Sequence, residues 1–151
     1  MLPDLSILLN YKHEKVVKSF IRTHGIQENT ATELFEDVLR YLWIAKKHNL
    51  DKKQYPAEEA YQFQFVMHEE MREIDNMWHN FILYTHDYTE FCHTYFGEYL
   101  HHVPDIAETT TQSATEFSAD LAKYLSYVYD NLGETTVHRW FGMHIPQSVN
   151  I

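Results

Sequence analysis

Apolar residues recur along most of this chain at spacings of three and four, the period of helices that bury one face. Val16, Val17, Phe20 and Ile21 form the first such stripe, and Gly25 stands where a left-handed residue closes a helix. A helix is therefore predicted over about residues 4–24. Thr30 to Glu33 has the spacing of a capping box, and Leu34, Val38, Leu39, Leu42 and Ala45 repeat behind it as far as Lys46, Lys47 and His48. Pro56, Ala57, Glu58 and Glu59 read as another first turn. Tyr61 to Val66 then alternates apolar and polar, a pattern that also suits a strand. A lone short strand is marginal, so helix is predicted over residues 57–66.

The signal strengthens over residues 68–85, where Met71, Ile74, Trp78, Phe81 and Ile82 share one broad face with Met67 ahead of them. Asp87 to Glu90 has capping-box spacing and predicts a fresh start, closed by Gly97. Pro104 ends that region, and a Thr-rich loop leads to Ser113. Ser113 and Glu116 then cap a last long helix carrying Phe117, Leu121, Tyr124, Leu125, Val128 and Leu132 before Gly133. A short amphipathic tail, residues 134–151, holds Trp140 and Phe141. The sum is an all-α fold: one domain over residues 1–151, a bundle of about five or six helices with no repeat or linker.

Composition supports that picture. Four Gly and four Pro are too few for a turn-rich β sandwich, and 44% hydrophobic residues suffice for a packed core. The net charge of −10 opposes nucleic acid and anionic lipid, so neither is an expected partner. No window approaches a membrane span, and the N-terminus lacks the basic start of a secretory signal. The single cysteine, Cys92, leaves no internal disulfide, which fits a cytoplasmic location. Cys92 falls on an apolar helix face and reads as a small buried hydrophobe, and Trp78 as a core anchor.

The eleven histidines hold the candidate chemistry. On a straight helix His68, Asp75, His79 and His86 lie within about 40° of one another. Only Asp75 and His79 are one turn apart, close enough to hold one ion together. His86 stands about 10 Å along the axis from His79, too far to share it. A third ligand must come from elsewhere, and the His101–His102 pair beyond Gly97 is the natural donor. A carboxylate with two imidazoles suits a divalent ion, zinc or non-haem iron(II), with Glu69, Glu70 and Glu73 as acceptors for imidazole N–H groups. His13, His24 and His48 read as solvent-facing or helix-end residues, His86 and His93 as surface or core-edge residues, and His138 and His144 have no evident partner. No phosphate loop, nucleophile elbow, HExxH site or EF-hand is present.

Asp75-x-x-Trp78-His79, followed by Tyr88, Gly97, Leu100 and His102, resembles the signature of the glycine-rich domain-containing protein-like family. The resemblance covers about thirty residues, and Phe81 stands where that family often has a further histidine. It implies Asp75, His79 and His102 as the site. Three functions follow: a small helical metal-binding protein using those residues, or an interaction module that binds a protein partner or a second copy. The third is a metal-free acid–base enzyme using Asp75 and His79. In the interaction module the Asp/His cluster is a structural polar network, and the exposed apolar patch is expected on the helix around residues 124–129 or at Trp140 and Phe141.

Overall fold

A computed structural model describes residues 2–103 and 113–142. Among them are seven α-helices and no strand, so the fold is all-α. They are α1 (Leu5–Leu8), α2 (Glu14–His24), α3 (Glu28–Gln54), α4 (Arg72–Ile82), α5 (Thr85–Phe96), α6 (Ala114–Leu132) and α7 (Glu134–Phe141). The chain divides into two compact units: Met1–Trp43 with Arg72–Val103, and Ile44–Met71 with Pro104–Ile151. Helix α3 supplies its first part to one and its remainder to the other.

In the first unit the helix expected over residues 4–24 is broken into α1 and α2. The break runs from Leu9 to His13: α1 closes with Leu9 as its C-cap, and His13, with extended backbone (φ −140°), caps the start of α2. Its Nδ1 accepts the N–H of Val16 at 3.2 Å, and its Nε2 lies 2.7 Å from Asp87. With Nδ1 accepting, the proton sits on Nε2 and is donated to the carboxylate. Asp87 is thus committed to His13 and does not cap a helix, and α5 starts earlier than expected, at Thr85. Helix α4 packs against α2 through Asn80, whose amide donates to the Val16 carbonyl at 2.9 Å and the Ser19 hydroxyl at 3.1 Å. Phe81, fully buried, sits among Tyr11, Phe35, Tyr88 and Phe91, with ring centroids 5.0–6.0 Å away.

In the second unit α3 passes the expected end at Lys46–His48 and continues to Gln54. His48 is buried, not solvent-facing: its ring packs on Phe63 at 4.2 Å and its Nε2 donates to the Tyr61 carbonyl at 2.9 Å. That captured carbonyl explains why residues 57–66 are not helical. A 3₁₀ turn, Glu59–Tyr61, leads into irregular chain, with the carbonyls of Tyr61 and Phe63 turned to His48 and Lys52. Burial alternates there at Phe63, buried, and Gln64, exposed, while Tyr61, Gln62, Phe65 and Val66 are all intermediate. A second 3₁₀ turn, Glu69–Met71, precedes α4, so His68 is not on that helix. Ser113 caps α6 as expected, accepting the Glu116 N–H at 3.1 Å. The tail begins as α7, with Val137, Trp140 and Phe141 buried. Residues 104–112 and 143–151, including most of the Thr-rich loop and His144, lie outside the described residues.

Burial pushes the His48 pKa below its ordinary value of 6.5. The unfolded chain then binds this proton more readily than the folded one, so stability is intact above about pH 6.5 and falls on acidification below it. Urea midpoints at pH 7.5 and 5.5 should drop further for the wild type than for His48→Asn; equal drops would mean that His48 does not carry the acid sensitivity.

Candidate metal centre

Helix α4 begins with Arg72 and carries Ile74, Met77, Trp78 and Phe81 on its buried face, the i, i+3, i+4, i+7 stripe of an amphipathic helix. Asp75 and His79, one turn apart on the neighbouring face, follow from the same register. Asp75 is partly buried and His79 exposed. The third residue arrives from beyond α5. Gly97 ends that helix in the left-handed conformation (φ 73°), its N–H returning to the His93 carbonyl at 3.1 Å. The chain then doubles back.

What pins the returning segment is a bond series that starts on α4. The Trp78 indole N–H donates to the Tyr88 hydroxyl at 3.0 Å, and that hydroxyl donates to the Leu100 carbonyl at 2.6 Å. Trp78 and Tyr88 are buried, and burial is the main cause that raises the Tyr88 phenol pKa well above its usual range. Cys92 also bonds toward Leu100, and burial raises its thiol pKa, so it is an inert hydrophobe as expected.

Two residues beyond this anchor, His102 lies over Trp78 with ring centroids 4.4 Å apart. Its Nε2 meets Asp75 Oδ1 at 2.6 Å, and its ring meets that of His79 at 4.7 Å. An ionised carboxylate only accepts, so the histidine donates. The fold thus brings Asp75, His79 and His102 together. His101, the other half of the pair, is exposed and packs on Tyr99 instead. His86 sits on α5 near Glu90, and Glu69, Glu70 and Glu73 are exposed. In this arrangement the Asp75 and His102 donor atoms face one another across a hydrogen bond. Among the described residues no group of three or more His, Cys, Asp or Glu is arranged to hold a metal ion.

One participant escaped the sequence reading. Tyr41, buried on α3, packs its ring 5.6 Å from Trp78. Its phenol pKa is raised by burial first and then by the Asp75 charge. Its spacing from Val38 and Leu42 marks it as core, but nothing local says that it backs Asp75.

The UCP032817-like family model matches residues 8–126 of the chain. The chain belongs to the UCP032817-like family. This corrects the resemblance to the glycine-rich domain-containing protein-like family, which rested on about thirty residues between Asp75 and His102. A match over residues 8–126 runs from α1 into α6, whereas that signature samples only α4, α5 and the segment after them. The UCP032817-like region contains Asp75, His79, His102 and the bonds that position them, and leaves out α7. No curated protein and no solved structure matches the chain. No helix among the described residues is long and apolar enough to cross a membrane.

Gly97 makes the return to His102 possible. A Cβ there would meet nothing within 4 Å, so Gly97→Ala carries only the conformational cost of a left-handed alanine, about 1 kcal/mol. The urea midpoint should fall accordingly while α5 stays helical by circular dichroism; an unchanged midpoint would show that the left-handed turn is not required.

Proposed function

We propose that Asp75, His79 and His102 bind a divalent cation, zinc or iron(II), and that the Asp75–His102 hydrogen bond is the form of the site without the ion. The observation that carries this reading is the convergence of one carboxylate and two imidazoles, from α4 and from a segment fixed by Trp78 and Tyr88. Donors that share an ion at about 2.0–2.2 Å stand roughly 3–3.5 Å apart. The 2.6 Å between Asp75 and His102 must open by roughly half an ångström or more as the cation takes the place of the Nε2 proton, which passes to Nδ1 or to solvent. Both side chains are partly solvent-accessible, which allows that adjustment.

Protein purified without a histidine tag and loaded with zinc or iron(II) should hold near one ion per chain by elemental analysis. His79→Ala, at an exposed position, should fold normally and lose the ion, as should His102→Ala. Retention of the ion in both variants, or none in the wild type, would sink the proposal.

A second reading keeps the cluster metal-free. The bonds from Trp78 through Tyr88 to Leu100, with Asp75 to His102, make a continuous polar clasp that holds the returning segment. On this reading His102→Ala lowers stability, His79→Ala is neutral, and function lies in docking a protein partner or a second copy. Of the patch expected for that role, Tyr124, Tyr127, Trp140 and Phe141 are buried and Tyr129 is exposed. Phe117 on the same helix is exposed as well, and a strictly monomeric species in light scattering would count against self-association through these two.

A further inference from the structure

We propose that a cleft on the first unit, floored by Phe91 and walled by Tyr11 and Tyr95, binds a small organic ammonium ion between those rings and the carboxylates of Asp87 and Glu90. The cleft has a volume of about 190 Å³ and is lined by these five residues with Thr94. It is smaller than a drug-sized pocket, so it suits a compact ligand group.

The register of α5 builds one side. Asp87, Phe91 and Tyr95 follow one another at i+4, and Glu90 and Thr94 do the same beside them. The segment between α1 and α2 supplies Tyr11, since α1 ends at Leu8 and α2 begins only after its cap, His13. Tyr11 stands 4.7 Å from Phe91 at 51° and 5.9 Å from Tyr95 at 78°, and Phe91 stands 5.2 Å from Tyr95 at 45°. The three rings pack on one another, Phe91 buried and the two tyrosines half-buried, and make the aromatic side of the cleft.

Ring faces attract cations within about 6 Å of their centroids, and aromatic cages recognise quaternary ammonium groups in this way. The local field has the matching sign. The Tyr11 phenol is pushed up to about 12 by burial first, then by the charge of Asp87 and by Tyr95 and Glu90. Asp87 remains ionised, because its bond to His13 holds the carboxyl below the usual carboxylate range. The neighbouring Lys12 ammonium is directed to the Leu9 carbonyl and to Glu36. The other titratable groups facing the carboxylates are His13 and Lys15 near Asp87, and His86, 3.7 Å from Glu90. This pocket is separate from the Asp75–His102 pair and does not depend on its reading.

The test is titration of the full chain, followed by NMR, with choline, with N-acetyl-trimethyllysine amide, and with 3,3-dimethylbutan-1-ol, the uncharged isostere of choline. The charged probes should bind saturably in the millimolar range or tighter, at least about tenfold better than the isostere, which corresponds to about 1.4 kcal/mol. Tyr95→Leu should weaken binding about tenfold, and Glu90→Gln, at an exposed side chain that the fold does not need, severalfold. Binding of both charged probes indicates a free ammonium ligand, and binding of the lysine derivative alone a methylated side chain. Equal binding of the isostere, no saturable binding of either charged probe, or wild-type affinity in Glu90→Gln and Tyr95→Leu would overturn the proposal.

Discussion

Replacing Trp78 by alanine is expected to destabilise the protein by about 3–5 kcal/mol, the range for deleting a large buried aromatic side chain. The side chain is 8% exposed, packs against Tyr41 and His102, and donates to Tyr88. Alanine removes the surface on which His102 rests and leaves the Tyr88 hydroxyl without its donor. Trp78→Phe keeps one aromatic ring and loses the N–H with part of the packing, so its cost should be smaller, about 1–3 kcal/mol. Urea denaturation followed by circular dichroism measures both. Equal losses in the two variants would mean that the indole bond, and not the packing, dominates; no loss in either would contradict the assignment of Trp78 to the core.

Tyr88→Phe should cost about 2–3 kcal/mol while changing almost no volume. The hydroxyl is the middle link between the Trp78 N–H and the Leu100 carbonyl, and its removal leaves both without that partner. The effect should be local as well as global. Amide exchange should accelerate over residues 99–102, the segment that carries His102, more than over α2. Uniform acceleration, or a midpoint unchanged within error, would show that the hydroxyl does not anchor the returning chain.

These expectations rest on parts of the fold that are legible from local spacing. Ile74, Trp78 and Phe81 mark the buried face of α4, which places Asp75 and His79 beside it, and Gly97 marks where the chain turns back. The demotion of His86 also follows from helical rise alone, and the structure puts that residue on a different helix. What was not legible depends on partners distant in sequence. His13 caps α2 with one ring nitrogen and bonds Asp87 with the other, across a separation of seventy-four residues. Residues 57–66 avoid helix because His48 and Lys52 take their carbonyls, and no local rule supplies that information. The selection of His102 over His101 depends on the anchor at Leu100, which fixes which ring meets Asp75. The family assignment failed for a related reason. A short signature reports about thirty residues between Asp75 and His102, while the UCP032817-like match extends over residues 8–126.

If Asp75, His79 and His102 bind one cation together, calorimetric titration of zinc into tag-free protein separates wild type from His79→Ala. Wild type should take up one ion per chain, and the variant should lose tenfold or more in affinity, about 1.4 kcal/mol or greater, with its urea midpoint unchanged. Equal zinc affinity in the two proteins, or no binding by the wild type, would contradict shared binding and leave the Asp75–His102 pair as a structural clasp.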